Sequence, residues 1–170
     1  MLTIRLAQED DLEGIRAIRN YYIAHTFSLW QTEPLTMPDM WLWWEEHKPP
    51  VHPIFVAEEE RGGVRKITGY ASLSPFRWNP GYRFTKENSI YLHPDYAKQG
   101  IGSRLMEAIV EAGRAAGLKQ ITAWIDGGNE RSVAFHARHG FALAGRMNGV
   151  GEKWEKRRDV VIMVKDLMKD

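Results

Sequence analysis

The 170-residue chain contains no cysteine. Disulfides, thiolate metal sites and a cysteine nucleophile of the protein's own are therefore excluded. Neither sign of charge dominates: 23 Lys and Arg stand against 22 Asp and Glu, a formal net charge of +1. That balance supplies no global attraction for nucleic acid or for a membrane surface, and neither is expected as a partner. No run approaches the roughly 18 consecutive apolar residues of a membrane helix. Residues 1–5 (Met-Leu-Thr-Ile-Arg) do not form a basic stretch leading into an apolar one, so no signal peptide is expected and a cytoplasmic location is the simplest reading. Internal repeats and low-complexity tracts are missing too. With 44% apolar and 26% charged residues, the expectation is one folded domain over residues 1–170.

Strand and helix signals alternate along the chain. Residues 2–6 alternate apolar and polar, as a short strand does. Glu9, Asp10 and Asp11 place acid at a helix start, and Leu12, Ile15, Ile18 and Tyr22 then recur at helical spacing. Thr36 followed by Pro38 and Asp39 reads as the cap of a short aromatic helix, stopped by Pro49-Pro50. Of the chain's seven tryptophans, Trp41 and Trp44 are expected in the core, while Trp30 and Trp78 stay open between core and pocket. Residues 54–58 and 67–73 read as strands joined through Gly62-Gly63. Residues 74–81 read as a loop and 89–92 as the core of a further strand. Ile101, Leu105, Ile109 and Ala112 mark a helix that Gly117 ends. A strand at 121–125, a helix at 129–138 and strands at 141–146 and 160–165 complete the pattern. Hairpins mixed with crossovers imply an α/β or α+β fold with a mixed sheet.

The most informative segment runs from Ile90 to Leu105: a strand, a turn holding Gly100 and Gly102, then a long helix. Without side chains at the two glycines, successive N–H groups can close around an anion, and the helix N-terminus adds about half a positive charge there. Ser103 adds a hydroxyl. This is the chemistry of a pyrophosphate seat. A dinucleotide fingerprint is ruled out by Leu105, which stands where a third glycine is needed, and no Lys-Ser/Thr pair follows as a P-loop requires. A tight strand-to-helix turn uses the same two glycines, so the glycines alone leave both readings open.

The spacing of this turn resembles the acetyl-CoA turn of the GNAT N-acetyltransferase superfamily. Residues 129–141, an Asn-led helix ending in Gly140-Phe141, resemble a second segment of that superfamily. Asn20-Tyr21-Tyr22-Ile23, Thr32-Glu33-Pro34, Gly69-Tyr70-Ala71, Glu87 with Ile90-Tyr91, and Gly151 and Lys153 with Asp159 resemble its phosphinothricin and methionine sulfone acetyltransferase branch. Together the matches cover nearly the whole chain. Two positions depart: Ala97 stands where the superfamily has Arg or Gln, and Arg157 where the branch usually has Trp.

The resemblance implies a GNAT fold: a mixed, mostly antiparallel sheet of about six to seven strands flanked by helices, with a splayed parallel pair holding the cofactor. It implies acetyl-CoA as cosubstrate, no metal, and a small-molecule amine that attacks the thioester directly; a homodimer is expected. The cofactor would lie along the backbone of Leu92 and His93, with its diphosphate at Lys98, Gln99, Gly100, Ile101, Gly102 and Ser103, and Asn129 on the pantetheine arm or capping its own helix. Glu87, three residues before Ile90 and so on the opposite sheet face, is the candidate base for an ammonium of pKa about 7.7–8. His136, seven residues after Asn129, holds the place of a proton-donating tyrosine and is the candidate acid. Glu33, Phe76, Arg77, Trp78 and Tyr82 are candidates for holding the substrate, Arg77 through a carboxylate.

Two signals point elsewhere only weakly. His136 and His139 are three apart on a helix with no evident third ligand, so no metal is assigned. Residues 153–158 are locally basic but interleaved with acid, and read as a solvated loop. The leading expectation is acetylation of the α-amine of a small amino-acid-like compound. A GNAT activity on a protein N-terminus, a polyamine or an aminoglycoside is the alternative, and a non-catalytic acyl-CoA sensor the second; the presence of Glu87 counts against the sensor.

Overall fold

The computed structural model of the chain describes residues 1–97 and 99–169. Strand β1 (Leu2–Leu6) leads through a short 3-10 turn into helix α1 (Leu12–His25), and α2 (Met37–Glu45) follows. Strands β2 (Ile54–Arg61), β3 (Val64–Pro75) and β4 (Thr85–Leu92) form a meander. Helix α3 (Ile101–Ala115), strand β5 (Gln120–Asp126), helix α4 (Glu130–Arg138) and strands β6 (Ala142–Lys153) and β7 (Lys156–Asp166) complete the chain. The seven strands lie in one sheet, ordered β1-β2-β3-β4-β5-β7-β6. Every pairing is antiparallel except β4 with β5, which is parallel. The expected fold is therefore present, with its strands longer than their apolar cores suggest.

Local chemistry explains the element ends. Gly62 and Gly63 both have positive φ, which a tight hairpin turn requires. Thr36 and Asp39 form a capping box on α2, the Thr36 N–H donating to Asp39 at 2.7 Å. Gly117 and Gly140 take left-handed φ of 73° and 81° just past α3 and α4.

The sheet carries a core on each face. On one, Leu105, Met106 and Ile109 of α3 pack under Ala71, Leu73, Ile121 and Ala123. On the other, Leu12, Ile15 and Ile18 of α1 meet Met40 of α2, Val56 and Tyr70. Truncating a fully buried leucine such as Leu105 to alanine costs about 2–5 kcal/mol. Among the described residues, no helix is long and apolar enough to cross a membrane.

Two expectations are corrected. Trp41 is 41% exposed. Met40, Trp43 and Trp44 share the α2 face that meets the core, and Trp41 lies off that stripe. Residues 153–158 are not a solvated loop. Strand β6 runs to Lys153, Trp154 and Glu155 turn the chain with positive φ of 51° and 60°, and β7 starts at Lys156.

Candidate active site

Strands β4 and β5 pair only where Thr85, Lys86 and Glu87 face Gln120, Ile121 and Thr122. Asn88 marks the point of divergence. Its Nδ2 donates to the Thr122 carbonyl at 2.9 Å, and its Oδ1 stands 3.2 Å from His136 Nε2. Beyond it the strands part and bound a cavity of about 790 Å³.

Backbone groups line one wall. The His93 N–H is committed to the Thr68 carbonyl at 2.8 Å. Alternation along the antiparallel ladder then turns the N–H and C=O of Asn88, Ile90 and Leu92 toward the gap. The Leu92 carbonyl already accepts the Tyr22 hydroxyl at 2.9 Å. Of the two residues named for this wall, Leu92 therefore faces the cavity and His93 does not.

The cavity runs to the start of α3, where Gly100, Gly102 and Ser103 line it. Gly100 has a φ of 76°, a left-handed conformation that favours glycine, and its carbonyl accepts the first intrahelical bond, from the Arg104 N–H. The N–H groups of residues 101–103 precede that bond and point outward. Gly102 is needed for closeness: an added Cβ would stand 3.3 Å from the Phe135 ring of α4. The Ile101 side chain is buried in the core, so only its amide is offered. Gln99 is exposed at the turn, and Lys98 lies outside the described residues. Arg131 and Arg138 of α4 also line the cavity, two cations the motif reading did not include. Amides and guanidiniums together suit a diphosphate.

Glu87 lines the same cavity at the point of divergence. Burial pushes its carboxyl above the usual range, and the positive charge of Arg77 opposes this. His136 is 3% exposed. Its Nδ1 lies 2.8 Å from the Ser132 carbonyl and its Nε2 faces Asn88, so both ring nitrogens meet oxygens. Burial lowers its pKa, against the hydrogen bond that Nδ1–H donates to the Ser132 carbonyl. His139 likewise turns its Nδ1 to a carbonyl of its own helix, that of Phe135, at 2.9 Å. Asn129 caps α4, accepting the Ser132 N–H at 3.1 Å, and donates to Ser28 Oγ at 3.2 Å.

The expected substrate-binding residues are dispersed. Phe76 packs edge-on against Tyr82 and lies 6.4 Å from Trp124, which lines the cavity. Arg77 acts on Glu87 through its charge. None of Glu33, Phe76, Arg77, Trp78 and Tyr82 is in the cavity wall, and Trp78 is 82% exposed.

Another wall was not legible from motifs. Ser28, Leu29 and Trp30 line the cavity. The Lys153 ammonium, 1% exposed, holds this segment by donating to the carbonyls of Ile23, Thr26 and Leu29 at 2.6–2.7 Å. An added Cβ at Gly151 would overlap the Trp30 ring. Trp30 Nε1 donates to Asp126 at 3.3 Å, and Arg158 donates twice to the same carboxylate, at 2.8 and 2.6 Å. The departure at Arg157 is directed away from these groups, its guanidinium donating to the Gly149 carbonyl at 3.1 Å.

Comparison with known proteins identifies the family. The profile of the Acetyltransferase (GNAT) family matches residues 15–141. An L-methionine sulfoximine/L-methionine sulfone acetyltransferase of Pseudomonas paraeruginosa is 35% identical over 161 residues, 95% of this chain and 92% of that protein. A phosphinothricin N-acetyltransferase of Streptomyces coelicolor is 32% identical over 92% of this chain and 91% of its own length. The crystal structure of a GNAT phosphinothricin acetyltransferase from Sinorhizobium meliloti in complex with acetyl-CoA superposes with a TM-score of 0.90 at 33% identity, covering 97% of this chain and 88% of that one. The chain thus belongs to the GNAT acetyltransferase family and is an acetyl-CoA-dependent N-acetyltransferase.

Proposed function

We propose that the protein acetylates the α-amino group of a small amino-acid-like compound of the methionine sulfone, methionine sulfoximine or phosphinothricin type. The observation that carries this reading is the position of Glu87: half-buried, at the root of the β4/β5 gap, in the cavity that ends at the α3 amides. The N–H groups of residues 101–103 would hold the diphosphate of acetyl-CoA, and the free edge of β4 at Ile90 and Leu92 its pantetheine arm, which would direct the thioester toward Glu87. There the carboxylate takes a proton from the ammonium, directly or through one water, and the freed amine attacks. An edge N–H in the gap stabilises the oxyanion. His136, at the root of the gap, is the proton donor to the departing thiolate. Arg77, whose charge is felt at Glu87, suits the substrate carboxylate. The relatives' names supply the substrate class.

Thiol release from acetyl-CoA tests this, followed colorimetrically with methionine sulfone, phosphinothricin, short peptides, polyamines and aminoglycosides. Turnover with the first two and none with peptides is expected. Turnover with peptides or polycations alone moves the substrate to another class, and acetyl-CoA binding without turnover on any amine leaves a sensor.

A further inference from the structure

One polar side chain stands opposite Glu87, and a second lies within hydrogen-bond distance of the first; the reaction described above uses neither. Ser74 is directly opposite Glu87 in the β3/β4 ladder. Directly opposed residues share a sheet face, with Cβ atoms about 4.5–5.5 Å apart. Ser74 Oγ lies 2.9 Å from Nε2 of His47, and His47 Nδ1 lies 2.6 Å from the Trp43 carbonyl. A carbonyl only accepts, so Nδ1 carries the imidazole proton, and Nε2 presents a lone pair to the Ser74 hydroxyl. His47 is 3% exposed and sits just beyond α2. The Trp43 carbonyl belongs to the last turn of that helix, where the dipole favours an imidazolium.

We propose that Ser74 and His47 form a proton relay behind Glu87. The relay rests on the reading of Glu87 as the base. The Glu87 carboxylate takes a proton as an N–H bond of the ammonium breaks. The Glu87 O–H then passes its proton to Ser74 Oγ while the Ser74 proton moves to His47 Nε2. Ser74 loses one O–H bond and gains another, His47 gains an N–H bond, and Glu87 is a carboxylate again. The charge is held as an imidazolium away from the thioester during acyl transfer. After the product leaves, the proton returns along the same path to water in the cavity.

The surroundings bring the two ends of the relay toward each other in proton affinity. Burial raises Glu87. Burial lowers His47, the Trp43 carbonyl opposes this, and the charge of Arg19 on α1 adds to it. His52, on the turn before β2, is the other titratable ring coupled to His47, and is itself kept low by burial and by Lys86. Arg19 also lies 4.9 Å over the Trp43 ring that packs on His47, so a cation faces the imidazole from α1, and the Trp43 carbonyl faces it from α2. Narrowing the difference in affinity lowers the cost of moving the proton in either direction, as a relay needs.

The test uses the full chain with Ser74→Ala, Ser74→Thr, His47→Gln and Glu87→Gln, assayed with acetyl-CoA and methionine sulfone. Ser74→Ala and His47→Gln are expected to lower kcat about ten- to a hundredfold, less than loss of the base itself, with the KM for acetyl-CoA unchanged. Ser74→Thr, which keeps the hydroxyl, restores the rate. In both slow variants, and not in the native protein, kcat rises with added imidazole buffer, which takes the stranded proton from Glu87. Histidine NMR on the free protein supplies a readout without turnover: the His47 ring signals shift with Glu87 ionisation, and that step disappears in Glu87→Gln and Ser74→Ala. Native kcat in both Ser74→Ala and His47→Gln beside a slow Glu87→Gln overturns the relay and spares the base. A normal rate in Glu87→Gln overturns the base. His47 signals identical in native protein and Glu87→Gln overturn the relay whichever amine is the substrate.

Discussion

At Glu87 two opposing influences set the basicity of one carboxylate. Burial penalises its charged form and pushes the pKa up, while the Arg77 guanidinium favours the charged form and pulls it down. A base works only when ionised, so kcat/KM is expected to fall as pH drops through a value above the ordinary glutamate pKa of about 4.3. Replacing Arg77 with Gln leaves burial unopposed, and the acidic limb of the profile moves to higher pH. A limb that stays in place or moves down in the pH profile of Arg77→Gln would show that another group is being titrated. Glu87→Gln is expected to lower kcat by about 10²–10⁴-fold. Its acetyl-CoA affinity, measured by calorimetry, stays near the native value because the proposed diphosphate seat at the α3 amides lies at the far end of the cavity.

The β4/β5 pair is a parallel ladder interrupted by a side chain. Where a fourth rung would form, the Asn88 carboxamide takes the Thr122 carbonyl, and His136 closes the other side of the same amide. Asn88→Ala leaves a buried carbonyl and a buried imidazole nitrogen without partners, at a cost of about 1–3 kcal/mol. It also allows the strands to approach across the gap. The expected outcome is a lower melting temperature together with weaker acetyl-CoA binding by calorimetry. A melting temperature that falls with unchanged affinity would reduce Asn88 to a structural role. Little of this device shows in the sequence, because it depends on partners 34 and 48 residues away. What did show was local. The α3 stripe, the turn glycines Gly62, Gly63, Gly100, Gly117 and Gly140 and the Thr36 cap are each written within a few residues, and the folded chain uses them as read. The β6–β7 turn escaped because Trp154 and Glu155 adopt positive φ without the Gly or Asn that normally announces it. The family resemblance reached Gly151 and Lys153 but gave them no task, since a buried ammonium on carbonyls 124–130 residues away has no local signature.

Across the whole molecule, the last hairpin clasps a segment near the beginning of the chain. Lys153 ties residues 23–29, Gly151 admits the Trp30 ring, and Arg158 pairs with Asp126, which in turn holds the Trp30 indole. The cavity wall and global stability therefore share contacts. Burial alone would raise Asp126, yet hydrogen bonds from Arg158, the Gly128 N–H and Trp30 keep its pKa below the usual aspartate value. A folded-state pKa depressed in this way contributes stability above the unfolded value of about 3.9, and that contribution is lost as pH falls through the folded value. Asp126→Asn removes the charge opposite a partly buried arginine and weakens its two hydrogen bonds, at a cost of about 1–3 kcal/mol. At neutral pH the variant is expected to unfold at clearly lower urea concentration than the native protein. As the solution is acidified below the ordinary aspartate range, the native protein loses the same charge by protonation and the two midpoints converge. Urea titrations of both proteins across that range check this directly. A gap between the midpoints that persists at the acidic end would mean that the clasp is held by shape and amide hydrogen bonds, with the Arg158–Asp126 charge contributing little.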